Sequence, residues 1–247
     1  MMYLCIFMLG ASIASFVNVV SLRKPLEIDY IKGRSYCPKC HHVLDFFDMI
    51  PILGWLCLKG KCRYCGHHIS LRYLLIEAIG GMVILICFQK YGWQSMFFLS
   101  SALFMILILI ALIDYQTMII PDEFIIMIFV LDLILFLNIR VCLVDHVLGF
   151  LIISVPMFLV NNCYQESFGG GDIKLFAVCG LFVGWKKILL AAFLFVIFAS
   201  CLTLPFMFMK KVKKSDFIPF GPFIAIGMII TVLYGNEIMY FYMNYFL

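Results

Sequence analysis

The stretch SMFFLSSALFMILILIALID, residues 95–114, decides the fold class of this chain. It carries no charge until its last residue, which is an aspartate. Roughly 20 apolar residues are needed to cross a bilayer, so the stretch predicts a membrane helix that ends on a carboxylate. The whole chain of 247 residues is 65% hydrophobic and 13% charged, whereas soluble domains are roughly half apolar and a quarter charged. This composition excludes a soluble globular domain and predicts an all-α polytopic membrane protein.

Comparable apolar runs recur along the chain and predict about eight transmembrane helices. The run at 173–185 is short enough to tilt or to cross only part of the bilayer. A ninth apolar stretch, the Tyr-rich C-terminal IMYFYMNYFL, is too short to span and is predicted to lie near the interface. A cleaved signal peptide is not favoured at 2–22, because no basic segment precedes the apolar run. The predicted spans are 2–22, 73–89, 95–114, 119–138, 142–163, 173–185, 188–208 and 219–235.

Lysine and arginine are distributed unevenly between the two sides of this topology. Thirteen of the 18 basic residues lie in the loop 23–72 and in the KKVKK loop, residues 210–214. The positive-inside rule therefore places both loops in the cytoplasm, which explains KKVKK better than a nucleic-acid patch does. The predicted organisation is a first membrane helix at 1–22, a cytoplasmic loop at 23–72 and a membrane bundle at 73–247.

The loop between helices 1 and 2 contains CPKCHH and CRYCGHH, two CxxC pairs separated by 21 residues. Each CxxC turn directs two thiolates at one point, and two such turns complete a tetrahedral Zn²⁺ site. Four cysteines close the coordination sphere, so the zinc is predicted to be structural rather than catalytic. Neighbouring histidines are alternative ligands, and free or redox-active thiols are the alternative reading. The predicted ligands are Cys37, Cys40, Cys62 and Cys65, and the alternatives are His41, His42, His67 and His68.

Two aspartates are predicted at the same level of the membrane, although 58 residues separate them in sequence. Asp114 ends the third span, and Asp172 begins the sixth in SFGGGDIKLF, so the predicted topology puts both at the cytoplasmic face. Ionisable groups at membrane depth are costly and usually mark a pathway or an active site. Two carboxylates in a desolvated site can share a proton, so that one activates water while the other donates to a peptide carbonyl. The alternative is that they cap helices or pair with Lys174.

The ordered motifs resemble bacterial type IV prepilin peptidases, the GxGD membrane aspartic proteases of family A24. The resemblance covers residues 10 to about 226, and GGGD alone would be weak evidence for it. The sequence reads RYLLIE where the family usually has a proline. This departure is not expected to remove cleavage, but it weakens the inference of methylation. The matching stretches are GASIASFVNVVSLR, the paired CxxC loop, ISLRYLLIE, IDYQTMIIPD, GGGDIKL and IPFGPFIA.

The resemblance implies a multi-pass aspartic endopeptidase in the bacterial cell membrane (inner or plasma membrane), with its active site at the cytoplasmic face. Its catalytic pair falls on Asp114 and Asp172, and its zinc ligands fall on the four cysteines. The implied substrates are type IV prepilins or pseudopilins, cut after a glycine that ends a basic leader. S-adenosylmethionine is the implied cofactor of a second activity, N-methylation of the new N-terminus. Asp122 is the reserve for the first catalytic position, Glu77 could support either activity, and Asp132 is expected to be structural.

Two other function classes explain part of the sequence. A transporter or channel could use intramembrane aspartates as a proton relay, but this leaves the zinc loop and the GGGD and PFGPF motifs unexplained. A non-catalytic assembly platform is opposed by the intact Asp114 and Asp172. The sequence does not distinguish pilin, secretion pseudopilin and competence pseudopilin substrates.

Overall fold

The structure is a computed structural model that describes residues 1–30, 35–164, 168–208 and 218–246, without the side chains of 204–208 and 246. Lys32, Arg34 and the KKVKK loop, which contribute to the predicted orientation, lie outside the described residues. The described chain is mostly helical, with two isolated antiparallel bridges in the loop between the first two long helices. The helices are α1 (Met2–Arg23), α2 (Leu53–Cys57), α3 (Leu71–Tyr91), α4 (Ser95–Thr117), α5 (Asp122–Asn138), α6 (Leu143–Cys163), α7 (Gly170–Val183), α8 (Trp185–Phe208) and α9 (Gly221–Phe246).

A helix occupies most of each of the eight predicted spans, and the all-α polytopic membrane protein is confirmed. Among the described residues, six helices are long and apolar enough to cross a membrane: α1, α3, α4, α6, α8 and α9. The other two, α5 and α7, have 17 and 14 residues, fewer than the roughly 20 that a perpendicular span needs. The Tyr-rich C-terminal stretch is the last part of α9, which continues unbroken to Phe246, and its place near the interface stays a prediction. Glycine is the only helix-breaking residue type after Pro222, and a single glycine is tolerated inside a helix.

The chain divides into two compact units, Met1–Gly92 and Trp93–Leu247, and each is considered by itself. In the first unit, α1 packs along α3. Near the loop end of this pair, the guanidinium of Arg72 donates to Asn18 Oδ1 at 3.2 Å and to Ser21 Oγ at 2.9 Å. The unit therefore joins α3 with α1, whereas the sequence grouped 73–247 as one functional bundle; that division stays a prediction.

The second unit is built around α4, which packs against α5 and α9. The side chains of Leu103, Phe104, Leu107 and Ile110 are fully buried. On the other side of α5, α7 packs against both α5 and α6. These contacts bring the end of α4 and the starts of α5, α7 and α9 to one end of the unit, where the candidate aspartates lie.

Candidate active site and metal site

The two CxxC pairs form matching turns in the first unit. In one turn the backbone N–H of Cys37 donates to the carbonyl of His42 at 3.0 Å. In the other the N–H of Cys62 donates to the carbonyl of His67 at 2.8 Å. An isolated antiparallel bridge flanks each turn, so the local backbone alone directs two thiols of each pair to the same side.

The four cysteine sulfurs converge into one cluster. All four Sγ atoms lie within 4.8 Å of one another, and the Sγ atoms of Cys37 and Cys65 are 3.8 Å apart. Zn–S bonds of about 2.3 Å in a tetrahedron require sulfur–sulfur separations of roughly 3.8 Å, so the cluster fits this ion. The cysteine cluster can therefore hold a metal ion, with two ligands from each turn.

The histidines that follow the cysteines have other contacts in the structure. The ring of His41 stacks on Tyr36 with 5.8 Å between ring centroids, and the ring of His42 lies 3.5 Å from that of Tyr64. Within the described residues, the metal-capable cluster contains the four cysteines and no histidine. This arrangement favours the four-cysteine ligand set over a set in which a histidine replaces a thiolate.

The thiols of the cluster differ in their readiness to lose a proton. Backbone N–H groups of Cys40 and Lys39 donate to the Cys37 sulfur and lower its pKa to about 6. At Cys65 the His67 N–H also lowers the pKa, but desolvation and the neighbouring thiols outweigh it and raise the pKa to about 11. Four closely spaced thiols cannot all become thiolates by themselves, whereas a bound cation stabilises all four charges.

Asp114 lies in the last turn and a half of α4 and is 5% exposed. Its Oδ2 atom accepts the backbone N–H of Gly221 at 2.7 Å, from the first residue of α9. A Cβ atom on Gly221 would lie 2.9 Å from the Cβ and Oδ2 atoms of Asp114, so only glycine fits there without displacement. The IPFGPFIA motif therefore supplies a backbone donor that fixes the orientation of this carboxylate.

Asp172 occupies the third position of α7 and is 8% exposed. Its carboxylate accepts the backbone N–H of Gly169, the N-cap residue of the same helix. This is the reciprocal half of a capping box, in which an acidic side chain bonds back to the helix start. The capping role considered from the sequence is thus real, and it holds the carboxylate in place instead of excluding a chemical role.

The structure brings the two predicted aspartates together. The carboxylates of Asp114 and Asp172 interact electrostatically, although one ends α4 and the other begins α7. The helix starts are held together by a close contact, because a Cβ atom on Gly171 would lie 2.9 Å from the Cβ of Ile120. Two buried carboxylates with backbone donors are therefore close enough to interact electrostatically where four chain segments meet.

Lys174 pairs with neither of these aspartates. Its ammonium donates to both carboxylate oxygens of Asp122 at 2.7 and 2.9 Å. The Asp122 side chain is 63% exposed, so the reserve candidate for the first catalytic position forms a surface ion pair between α5 and α7. The geometry favours Asp114 over Asp122 for that position.

Asp132 and Glu77, the remaining two carboxylates to which the sequence assigned a role, are separate from this pair. Asp132 on α5 is fully buried, and its oxygens have no hydrogen-bond partner within the described ranges. Glu77 belongs to the first unit, where it accepts the backbone N–H of Ile52 at 2.7 Å and a hydrogen bond from Ser15. Glu77 thus fastens the cysteine loop to α3 and α1.

Sequence reasoning missed three contributors to the aspartate site. Gly221 lay in a recognised motif but had no role, because a backbone donor leaves no mark on residue type. Ile120 looked like one more apolar residue, and Lys174 was considered only as a partner of the aspartates. The sequence signal for such close packing is a glycine at the start of a helix, as at Gly171 and Gly221, and it does not identify the partner.

Most of the chain is similar to known bacterial leader peptidases. The family described as "Bacterial Peptidase A24 N-terminal domain" matches residues 8–91, and the "Type IV leader peptidase family" matches residues 101–208. A prepilin leader peptidase/N-methyltransferase of Bacillus subtilis is 32% identical, covering 97% of both chains. Proteins of the same name from Myxococcus xanthus and Stutzerimonas stutzeri are 34% and 29% identical, covering 74% and 98% of this chain and 57% and 94% of theirs. No solved structure matches the chain.

Proposed function

Because the chain belongs to the type IV leader peptidase family, we propose that it is a membrane aspartic endopeptidase of type IV prepilins or pseudopilins. It removes their leader peptide after a glycine at the cytoplasmic face. The observation that carries the proposal is the meeting of two buried carboxylates, Asp114 and Asp172, from helices remote in sequence. The substrate class comes from the family, whereas the reacting groups come from this geometry.

The pair suits hydrolysis with one shared proton. The ionised carboxylate takes a proton from water as the water oxygen attacks the peptide carbonyl carbon. The protonated carboxyl donates to the carbonyl oxygen, and the C–N bond breaks when the leaving amine receives a proton. The N–H groups of Gly221 and Gly169 each hold one carboxylate in position, which reduces the reorganisation needed during the reaction.

The cysteine loop fits a structural role for Zn²⁺. Cys37, Cys40, Cys62 and Cys65 would hold the ion, which supplies folding energy to a loop too small for a core of its own. Four thiolate ligands leave no coordination position for water, so hydrolysis is assigned to the aspartates alone.

The proposal places the peptidase in a bacterial inner membrane with several spans. The basic residues of 23–72 and 210–214 support a cytoplasmic location for both loops. With this orientation, the C-terminal end of α4, which carries Asp114, and the start of α7, which carries Asp172, lie at that same face. A prepilin would place its apolar stem beside the helices while its basic leader stays in the cytoplasm.

N-methylation of the new N-terminus is the second proposed activity, since the relatives' names include it. S-adenosylmethionine would supply the methyl group, and no residue of this chain is assigned to its binding. Mass spectrometry of product N-termini, with and without S-adenosylmethionine, tests this activity separately from cleavage.

The decisive test compares three aspartates of the second unit. Asp114→Asn and Asp172→Asn should each abolish leader cleavage by the purified protein in membranes, because an amide can neither take nor give the required proton. Asp132→Asn is the matched control: Asp132 is fully buried on α5, and its charge is not among those that act on Asp172, so cleavage should continue. Zinc content and protein level should stay normal in all three.

The outcomes separate the peptidase from a proton-relay transporter. Wild-type cleavage by Asp114→Asn or Asp172→Asn would contradict the catalytic assignment. A chain that never cleaves any prepilin or pseudopilin, yet moves protons in a manner that depends on Asp132, would favour the transporter class.

A further inference from the structure

The loop between α1 and α3 contains an apolar segment, residues 46–57, with the sequence FFDMIPILGWLC. A 3-10 turn over Phe46–Met49 packs against the short helix α2. The side chains of Phe46 and Phe47 are 75% and 71% exposed, and those of Leu53 and Leu56 about half exposed. Large apolar side chains grouped at a surface mark a protein or membrane contact more often than a water-facing loop.

The apolar segment presents no charge of its own. Asp48 is its only ionisable carboxylate, and its side chain is 1% exposed and 2.6 Å from the guanidinium of Arg63. The exposed Lys59 and Lys61 follow directly after the segment. On its other side the exposed Asp45 precedes the segment and accepts a hydrogen bond from the Tyr64 hydroxyl at 2.7 Å. An uncharged apolar surface with lysines beside it is the pattern expected where a chain meets an anionic lipid surface.

Glu77 attaches this segment to the side of α3, beyond the first turn of that helix. The Glu77 carboxylate accepts the N–H of Ile52, in the middle of the apolar segment, at 2.7 Å. Glu77 lies six residues into α3, which at 1.5 Å per residue is about 9 Å along the helix from its start. Ser15, well inside α1, donates to the same carboxylate. The segment is thus anchored alongside two membrane-spanning helices and not above them.

Ile52 also shows that this attachment is built at some cost. Its φ of 64° is in the left-handed region, which a β-branched residue rarely adopts. The strained backbone places its N–H on a carboxylate inside a membrane helix, where an unpaired charge would be expensive. We infer that the hydrogen bond from Ile52 to Glu77 holds the apolar segment in its position beside α3.

We propose that the apolar segment, residues 46–57, lies in the interfacial layer of the bilayer with Phe46, Phe47, Leu53 and Leu56 in contact with lipid. The depth set by Glu77 falls within the roughly 5–10 Å to which interfacial amphipathic elements are buried. Apolar side chains are also exposed on the two helices to which the segment is attached, such as Phe16 on α1 and Leu75 on α3, which favours lipid over a protein occupant. Glu77 is a positioning residue for the segment, and the inference does not depend on peptidase activity.

Fluorine NMR of the full chain in bilayer nanodiscs of phosphatidylcholine and phosphatidylglycerol tests the location. A trifluoromethyl-phenylalanine replaces Phe47, and the same probe replaces Phe16 on the exposed side of α1 or Tyr36 beside the first cysteine turn. A nitroxide confined to the lipid should cause loss of the signals at positions 47 and 16 but not at 36. A water-soluble gadolinium chelate should cause loss of the signal at 36 only.

Each other pattern overturns the proposal. Loss of the signal at 47 with gadolinium alone would place the segment in water, and protection from both agents would mean that protein covers it. The same probe at Phe46 repeats the measurement if the first variant fails to bind zinc and so fails to fold.

Two variants of Glu77 test its role as an anchor with the probe at position 47. Glu77→Gln keeps an oxygen that can accept the Ile52 N–H, so the loss of signal with the lipid nitroxide should persist. Glu77→Ala removes the acceptor, so that loss should diminish and quenching by gadolinium should rise. An unchanged pattern in Glu77→Ala would overturn the positioning role.

Discussion

The metal site and the aspartate site are assembled from the chain in opposite ways. Each half of the metal site is a turn of six residues whose own backbone bonds place two sulfurs. The aspartate site needs four segments remote in sequence, including backbone donors from Gly169 and Gly221 and the contact of Gly171 with Ile120. One site consists of local turns whose four cysteines can hold a metal ion, and the other depends on the fit between helix ends.

This difference decides what each site can tolerate. A side-chain change in a local turn should displace the cysteine sulfurs little as long as they can bind metal, because metal binding supplies most of the folding free energy of such a loop. A site made of packed helix ends transmits a change of one methyl group to the distance between its carboxylates, because close-packed interiors have no spare volume. Removing metal ligands should therefore disrupt the first site, and adding a methyl group between helix ends should disrupt the second.

Removing two thiols should have the largest effect. Cys37→Ser combined with Cys40→Ser should eliminate the bound zinc, about one ion per wild-type chain, and with it roughly 10 kcal/mol or more of loop-folding free energy. Elemental analysis and amide hydrogen exchange of residues 35–70 measure the two losses. Cys57→Ser is the matched control, since Cys57 is an exposed cysteine of the same loop outside the cluster. A double variant that retained its zinc would sink the four-cysteine assignment.

The glycine triplet offers a sharper test of the aspartate site. A methyl group at Gly171 meets Ile120 at 2.9 Å, whereas one at Gly170 has open space within 4 Å. Gly171→Ala should cost about 1–3 kcal/mol through overpacking and lower kcat of leader cleavage about 10- to 100-fold. Gly170→Ala should cleave at close to the wild-type rate, and both should bind zinc normally. Equal rates for the two variants would show that the contact does not position Asp172.

The same contrast explains how far the sequence could be read. The helices followed from uninterrupted apolar runs, and the four cysteines from a spacing whose geometry is local. The approach of Asp114 to Asp172 was predicted only at the level of membrane depth, from topology. The bond from Gly221 and the contact at Gly171 depend on helix packing, for which hydrophobic periodicity carries no information in helices that are apolar all round.

The sequence also could not predict which partners the carboxylates have. Lys174 follows Asp172 by two residues, so a local pairing was a reasonable alternative. Successive residues of a helix point in different directions, however, and the lysine reaches Asp122 on α5 instead. Likewise, the strained φ of Ile52 and its bond to Glu77 arise from a tertiary contact that residue type does not indicate.

A smaller effect is expected within the metal site, where the two turns differ in the residue that follows each CxxC pair. His41 and Gly66 each follow a CxxC pair and each have a positive φ, 55° and 69°. Gly66→Ala should cost about 1 kcal/mol, because a side chain there is placed in the left-handed region. Zinc affinity, measured by competition with a chelator, should fall about fivefold. His41→Gly should leave affinity unchanged or slightly higher; a loss as large as that of Gly66→Ala would mean that the ring contact with Tyr36 governs the turn.

The smallest effect is expected at the surface ion pair between α5 and α7. Exposed pairs contribute about 0.2–1 kcal/mol, so Lys174→Met or Asp122→Asn should lower kcat of cleavage only about two- to fivefold. KM should stay unchanged if the pair acts by holding α7 against α5, near Asp172. Lys174→Arg should preserve the rate, and the exchange Asp122→Lys with Lys174→Asp should restore most of what either single reversal loses. Failure of that exchange, with both reversed chains folded and zinc-loaded, would mean that packing at Ile120 and Gly171 alone positions the carboxylates.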